Sequence, residues 1–300
     1  MEWKVVLGPQ QTTLGNNRGP CVGQFGLQRA IRRWCAPSWF SVSDGRILDD
    51  QMPWFWSCAQ MEQIVETHER GRPFIIGPNV LFGDSRKPGE SSGERTILDS
   101  PHCRLIFTES VWYADLIKRH LGKESKAQIC IVPYPVLPHP SFAYAERQAP
   151  SIDVLIYAKS GYDSRLLNTV IGLFPKTRVF IYGLYDRWEL IDSAFRSKCC
   201  AFLSNDDRGP IAAAEILLTG CPIIATERGC PWVREIYGVG YEITSFASST
   251  GDYEPAVAAI ATAMNIHVNH DHVRQRAELF FSPQRILPVI FNHLERARSC

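Results

Sequence analysis

The stretch CAFLSNDDRGPIAAAEILLTGCPIIA, residues 200–225, decides the fold. It opens on Cys200-Ala201-Phe202-Leu203, a short apolar run without polar alternation, as in a strand covered on both faces. Asn205, Asp206 and Asp207 are helix-capping residue types, and Pro210 suits a first helical turn. The next nine residues form a helix, apolar but for Glu215 and the closing Thr219, and Gly220 stops it. Residues 222–225 then read as a second buried strand. A strand, a buried helix and a strand in that order form a parallel pair with a right-handed crossover.

Outward from this stretch the same rhythm continues. Residues 153–157 and 178–182 read as strands, and 164–173 and 187–195 as helices. The tail reads as helices over 253–267, 270–280 and 285–297. Short apolar strands alternating with helices predict a doubly wound parallel sheet. The first half is looser. Strands are read at 3–7, 39–42, 73–76, 104–108 and 128–132. A Gly-rich loop, 15–26, leads into a helix ending near Trp34, and helices follow at 57–70 and 110–121. No element is read between 42 and 57. The polar segment 85–94 is expected to be a mobile loop. Between the halves stand Pro133, Pro135, Pro138, Pro140 and Pro150, which remove backbone donors and fix φ. This is the expected linker. The reading is α/β, with two Rossmann-like domains, 1–135 and 150–282, facing a cleft. The last helix, within 283–300, is a candidate to return to the first domain. Ligands of such sheets bind beyond the carboxyl ends of the strands, so loops that follow strands should carry the chemistry.

Composition narrows the function. The 300 residues are 45% hydrophobic and 21% charged with a net charge of +1, enough apolar content for a packed core and too little positive charge for a binder held mainly by nucleic-acid phosphates. Arg29, Arg32 and Arg33 share a helical face, and Arg86-Lys87 lie in the polar loop, leaving room for a local basic patch. The ten cysteines form no Cys-x-x-Cys pair, and no histidines stand at zinc-ligand spacing. Reduced thiols and a cytoplasmic location are expected. The first seven residues lack the apolar core of a secretory leader. No apolar run approaches the ~20 residues of a membrane span.

Glu215 is the single charge on an otherwise apolar helix. A buried carboxylate costs several kcal/mol unless it is paired or hydrogen-bonded. Two readings follow. Either a neighbouring Arg or Lys pairs with it, or its two oxygens accept from the two hydroxyls of a ribose diol.

Asp207 and Glu215 have seven residues between them, and the segment ends in Gly220-Cys221-Pro222 before a strand. This resembles the Glu-x7-Glu region of retaining GT-B glycosyltransferases, with Asp207 for the first Glu and Arg208-Gly209-Pro210 for the usual Gly-aromatic-Gly. The resemblance covers about 153–241 well and the first half in outline. It implies a nucleotide-sugar donor, with Glu215 on its ribose, Asp207 at the sugar hydroxyls, and Gly209 with the amides of Ile211 and Ala212 toward the diphosphate. It also implies a basic residue after the first strand of the second domain, Lys159 with Arg165 in reserve, to stabilise the leaving diphosphate. Tyr182 and Gly183 fall where base and ribose approach. In the first domain Gly23, Asn79 and Asp84 are candidates for the phosphate and acceptor side. No metal and no other cofactor is expected, and the acceptor is open: a glycan, a lipid-linked sugar, a small molecule or DNA. Two alternatives stand beside this reading, transfer to modified bases in DNA and a non-catalytic nucleotide-sugar binder.

Overall fold

The computed structural model describes residues 2–8, 19–34, 36–43, 47–57, 60–80, 91–136, 149–159, 161–204, 206–226, 228–233, 236, 254–265 and 269–299. The chain divides into two compact units, Met1–Pro135 with Pro283–Cys300, and Val136–Ser282. The first carries β1 (Lys4–Leu7), α1 (Gly19–Arg33), β2 (Phe40–Val42), β3 (Gln51–Ser57), α2 (Met61–Glu69), β4 (Phe74–Asn79), α3 (Ser92–Asp99), β5 (Cys103–Thr108), α4 (Val111–His120) and β6 (Gln128–Ile131). Its six strands form one sheet in the order β2-β1-β3-β4-β5-β6, every ladder parallel. The second unit carries β7 (Ile152–Ala158), α5 (Ser164–Leu173), β8 (Thr177–Ile181), α6 (Arg187–Phe195), β9 (Ser197–Leu203), α7 (Ile211–Leu218), β10 (Ile223–Ala225), α8 (Glu254–Asn265) and α9 (His270–Phe280). Its four parallel strands run β10-β9-β7-β8. The last helix, α10 (Pro283–Ser299), packs on β1 and β5 of the first unit.

Three local expectations are corrected. Strand β3, central in its sheet, was not read because Pro53 sits among Met52, Trp54 and Phe55. Pro53 lies opposite Val6 in the β1 ladder but precedes Trp54, the first partner of β4, so the missing amide falls outside the β4 ladder. The strand also buries Trp54, Phe55 and Trp56, with the Trp54 Nε1–H donating to the Gly77 carbonyl at 2.7 Å. The loop expected over 85–94 already gives way at Ser91. The Ser91 side chain accepts from the Glu94 amide, and the Glu94 carboxylate accepts from the Ser91 amide, the capping box that opens α3. The rest of that segment lies outside the described residues. Finally, α1 starts at Gly19, so Gly23 is helical and not in a loop. Glycine costs a helix about 1 kcal/mol against alanine. Burial of Leu27, Ala30 and Ile31 outweighs this, and an added Cβ at Gly26 would stand 3.1 Å from the Pro135 carbonyl, so the helix needs a small residue there.

The second unit wraps its sheet on both faces. Val154, Ile156, Cys199, Ala201, Leu203 and Ile224 meet α5 and α8. The alternate residues look the other way, where Tyr157 stacks on Phe202 and α6 and α7 pack. This coverage is why β9 and β10 read as unbroken apolar runs, whereas the edge strand β8 stays partly exposed.

Cys103, Cys130, Cys199, Cys200, Cys221 and Cys230 are buried free thiols. Burial pushes the Cys130 thiol up to about 12 and raises those of Cys199, Cys200 and Cys230 as well. The thiolate is the nucleophile. Alkylation at pH 8 is therefore expected to spare these four until the chain is unfolded, as residue-resolved mass spectrometry would check.

The C-terminal helix is clamped by Arg298, whose guanidinium lies 5.0 Å over the Trp39 ring and donates to Glu2 at 3.0 Å and Glu295 at 3.3 Å. Both carboxylates are exposed, so the packing on Trp39 should matter more than the ion pairs. Arg298→Ala is expected to cost about 1–2 kcal/mol in a denaturant melt, and Arg298→Lys less than that.

Candidate functional site in the second unit

The strand order places the site. From β7 the chain steps to β8 on one side, then crosses back over β7 to β9 on the other. The helices that follow β7 and β9 therefore lie on opposite faces, and the carboxyl ends of these two strands border the switch point. Lys159 follows β7 and its amide donates to the Leu203 carbonyl at 2.9 Å, extending the ladder past the last strand residue. Asp207 follows β9. Its amide donates to the Arg228 carbonyl at 2.7 Å, and the Arg208 amide donates to its Oδ1 at 2.8 Å. Beneath this loop Gly229 is pressed so close that an added Cβ would stand 2.3 Å from the Ser204 carbonyl.

Lys159 and Asp207 thus face one another across the switch point, Nζ to Oδ2 at 2.6 Å. The carboxylate side chain is 7% exposed and the lysine 25%, so the cation is the more accessible partner. The ring of Tyr182, which follows β8, lies 5.2 Å from the same Nζ. The Tyr182 amide donates to the Ala158 carbonyl at 2.8 Å, holding that loop beside Lys159. Gly183 then turns with φ +84°, in the left-handed region, and an added Cβ there would meet nothing within 4 Å. Conformation requires this glycine, not crowding.

Glu215 lies on α7, buried on all but 8% of its side chain. Its partner is Arg187, the first residue of α6, which carries the chain from β8 back to β9 against α7. Arg187 Nε donates to Oε1 at 2.7 Å and Nη2 donates to the same oxygen. Burial raises the Glu215 pKa, and the Arg187 guanidinium pulls it partly back. The charge of Glu215 is felt at Tyr185, whose hydroxyl meets that of Tyr157 at 3.3 Å. The ion-paired reading of Glu215 is the one observed here, with both Arg187 contacts on Oε1.

Of the other sequence candidates, Gly209 joins the Asp207 loop to α7, whose N-cap Pro210 has no side-chain acceptor to offer Ile211 and Ala212. Arg165 is exposed at the start of α5, where Asp163 caps the helix by accepting from the Arg165 amide at 2.8 Å. Asn79, in the first unit, is buried and donates to Ser57 Oγ at 2.9 Å, tying β4 to β3. Asp84, Arg86 and Lys87 lie outside the described residues. Arg187 was missed in the sequence because the partner of Glu215 is 28 residues away. The one local signal was its place after Asp186, a helix-capping type following a strand. Among the described residues no group of three or more His, Cys, Asp or Glu is arranged to hold a metal ion. No helix among them is long and apolar enough to cross a membrane.

The arrangement offers two cations, Lys159 and Arg187, each paired with a carboxylate, in the loops and helices that follow the strands of one parallel sheet. These groups suit a ligand that combines phosphate with hydroxyls. No protein-family model matches the sequence, and no curated protein matches it. Solved structures share its GT-B fold, two units each built on a parallel sheet. The HepE protein of Anabaena, solved with UDP and glucose, is 11% identical with a TM-score of 0.59, covering 98% of this chain and all of that one. The DNA-modifying beta-glucosyltransferase is 10% identical with a TM-score of 0.55, and 99% of each chain is covered. TarM of S. aureus, solved with UDP, is 10% identical with a TM-score of 0.57, and the match takes in 81% of this chain but only 55% of TarM.

Proposed function

We propose that the chain is a glycosyltransferase that takes a nucleoside-diphosphate sugar at the carboxyl edge of its second sheet. The observation that carries this reading is the Lys159–Asp207 pair across the switch point, 2.6 Å apart and close to the start of α7. Lys159 and the amides of Ile211 and Ala212 bind the diphosphate. Asp207 accepts from a sugar hydroxyl, and Glu215 from the ribose. Transfer breaks the bond between the anomeric carbon and the diphosphate oxygen. The electron pair leaves with that oxygen, whose growing charge Lys159 stabilises. The new bond forms to an acceptor hydroxyl, with its proton passing to the departing diphosphate and the configuration retained. The first unit serves the acceptor. UDP in the HepE and TarM complexes supports a nucleotide donor for this fold.

The test is a thermal-shift screen of nucleotide sugars followed by an assay of donor hydrolysis and transfer. A donor at a hundred times its Kd should stabilise the protein by about 2.7 kcal/mol. Absence of a shift with every nucleotide sugar would refute the reading. A second reading rests on Asp207 itself. It is a residue shorter than the usual Glu and is already held by Lys159, which suits a protein that binds a nucleotide sugar without transferring it. Binding without any hydrolysis or transfer would favour that alternative.

A further inference from the structure

Arg187 places both of its contacting nitrogens, Nε and Nη2, on one oxygen of Glu215. Among the described residues no hydrogen bond reaches the other oxygen, Oε2, or the remaining Arg187 nitrogen, Nη1. A buried carboxylate has about four lone-pair sites, and here one oxygen is taken while the other keeps its full accepting capacity. Arg187 is itself 38% exposed, so it stands on the accessible side of a carboxylate that is 8% exposed. It starts α6 directly after the turn at Gly183, where the Asp186 side chain caps the helix by accepting from the Trp188 amide at 2.8 Å and the Glu189 amide at 3.1 Å. The guanidinium therefore has a fixed root. An unpaired Glu215 would turn both oxygens to a ribose diol. A Glu215 held through Oε1 cannot.

We infer that Arg187 is a positioning residue that makes the site read a single ribose hydroxyl through Glu215 Oε2. The inference rests on the proposed donor site and deepens it. The guanidinium sets the rotamer of the carboxylate, offsets part of the cost of burying its charge, and withholds one oxygen. The second hydroxyl of the ribose is then left without a carboxylate partner. Selectivity should follow. A nucleotide lacking the hydroxyl on Oε2 loses a charge-assisted hydrogen bond, whereas one lacking the other hydroxyl loses little.

The experiment titrates the full chain with ADP, GDP, CDP and UDP, then repeats the tightest of them as its 2′-deoxy and 3′-deoxy forms. The wild type is expected to lose at least tenfold in affinity for one deoxy form and less than threefold for the other. In Arg187→Met both carboxylate oxygens are released, and the two deoxy forms should bind within threefold of each other. Arg187→Lys, with one nitrogen left to hold Oε1, should restore part of the difference. A thermal melt of each variant separates folding from selectivity, because a purely structural Arg187 would lower the melt and leave the ratio between the deoxy forms unchanged. That outcome overturns the inference, as do equal losses for both deoxy forms in the wild type. Failure of every ribonucleoside diphosphate to bind the wild type would overturn the donor site and this inference together.

Discussion

Lys159→Ala is expected to weaken both the fold and the binding of a nucleoside diphosphate, and the two losses can be separated. Asp207 is 7% exposed and its Oδ2 is held by Lys159 at 2.6 Å. Removing the lysine takes the neighbouring cation away from a carboxylate that has little access to water and keeps the Arg208 amide on Oδ1. Breaking a buried pair in this way costs about 3–5 kcal/mol. The Arg208 amide on Oδ1 and the 25% exposure of the lysine place the value at the lower end. Loss of the phosphate contact should add about 1.5–3 kcal/mol of binding free energy. The double variant Lys159→Met with Asp207→Leu tests the separation. It leaves no stranded charge and should recover most of the stability, since apolar replacements of a buried pair are often neutral. It should recover none of the nucleotide affinity. Lys159→Ala with wild-type affinity, in a folded protein, would remove Lys159 from the site. A double variant that regained binding would remove both residues.

Glu215 gives the second large effect, and Arg187 determines its form. Glu215→Gln keeps the shape and one acceptor oxygen but releases the charge that holds Arg187. Arg187 is 38% exposed, so its charge can turn to water and is not stranded. The cost to stability should therefore be about 1.5–3 kcal/mol, the range for a hydrogen bond to a charged group, and not that of a fully buried pair. Nucleotide affinity should fall at least tenfold, because the amide presents a donor where a hydroxyl needs an acceptor. Glu215→Leu fills the space without a polar group. It should melt close to the wild type, since the helix around it is apolar, yet bind nucleotide at least tenfold more weakly. A Glu215→Gln protein with a greatly lowered melt and normal affinity would refute the ribose role. The two variants together show whether this carboxylate serves the fold or the ligand.

The second half of the fold was legible because β7, β9 and β10 are largely buried on both faces. Nothing polar interrupts 200–203 or 222–225, and the helix between them carries a single charge, so strand and helix announce themselves locally. Lys159, Asp207 and Glu215 could be placed after strands or on a helix for the same reason. The first half was harder where local chemistry conflicts with tertiary placement. Pro53 speaks against a strand in any window, and only the offset between the β1 and β4 ladders makes room for it. Gly19, Gly23 and Gly26 speak for a loop, and the packing of α1 overrides them. The capping box at Ser91 and Glu94 was a signal present in the sequence, masked by the polar residues before it.

Pairing was beyond the sequence. Lys159 meets Asp207 over a separation of 48 residues, and Arg187 meets Glu215 over 28. Both separations close because β7 lies between β8 and β9 in the sheet, although it precedes both in the chain. Residue type and a parallel β/α rhythm, which are local properties, were determined by the sequence alone. Which cation faces which carboxylate, and which oxygen is left open, was decided by strand order, since only the order brings the carboxyl ends of distant strands side by side.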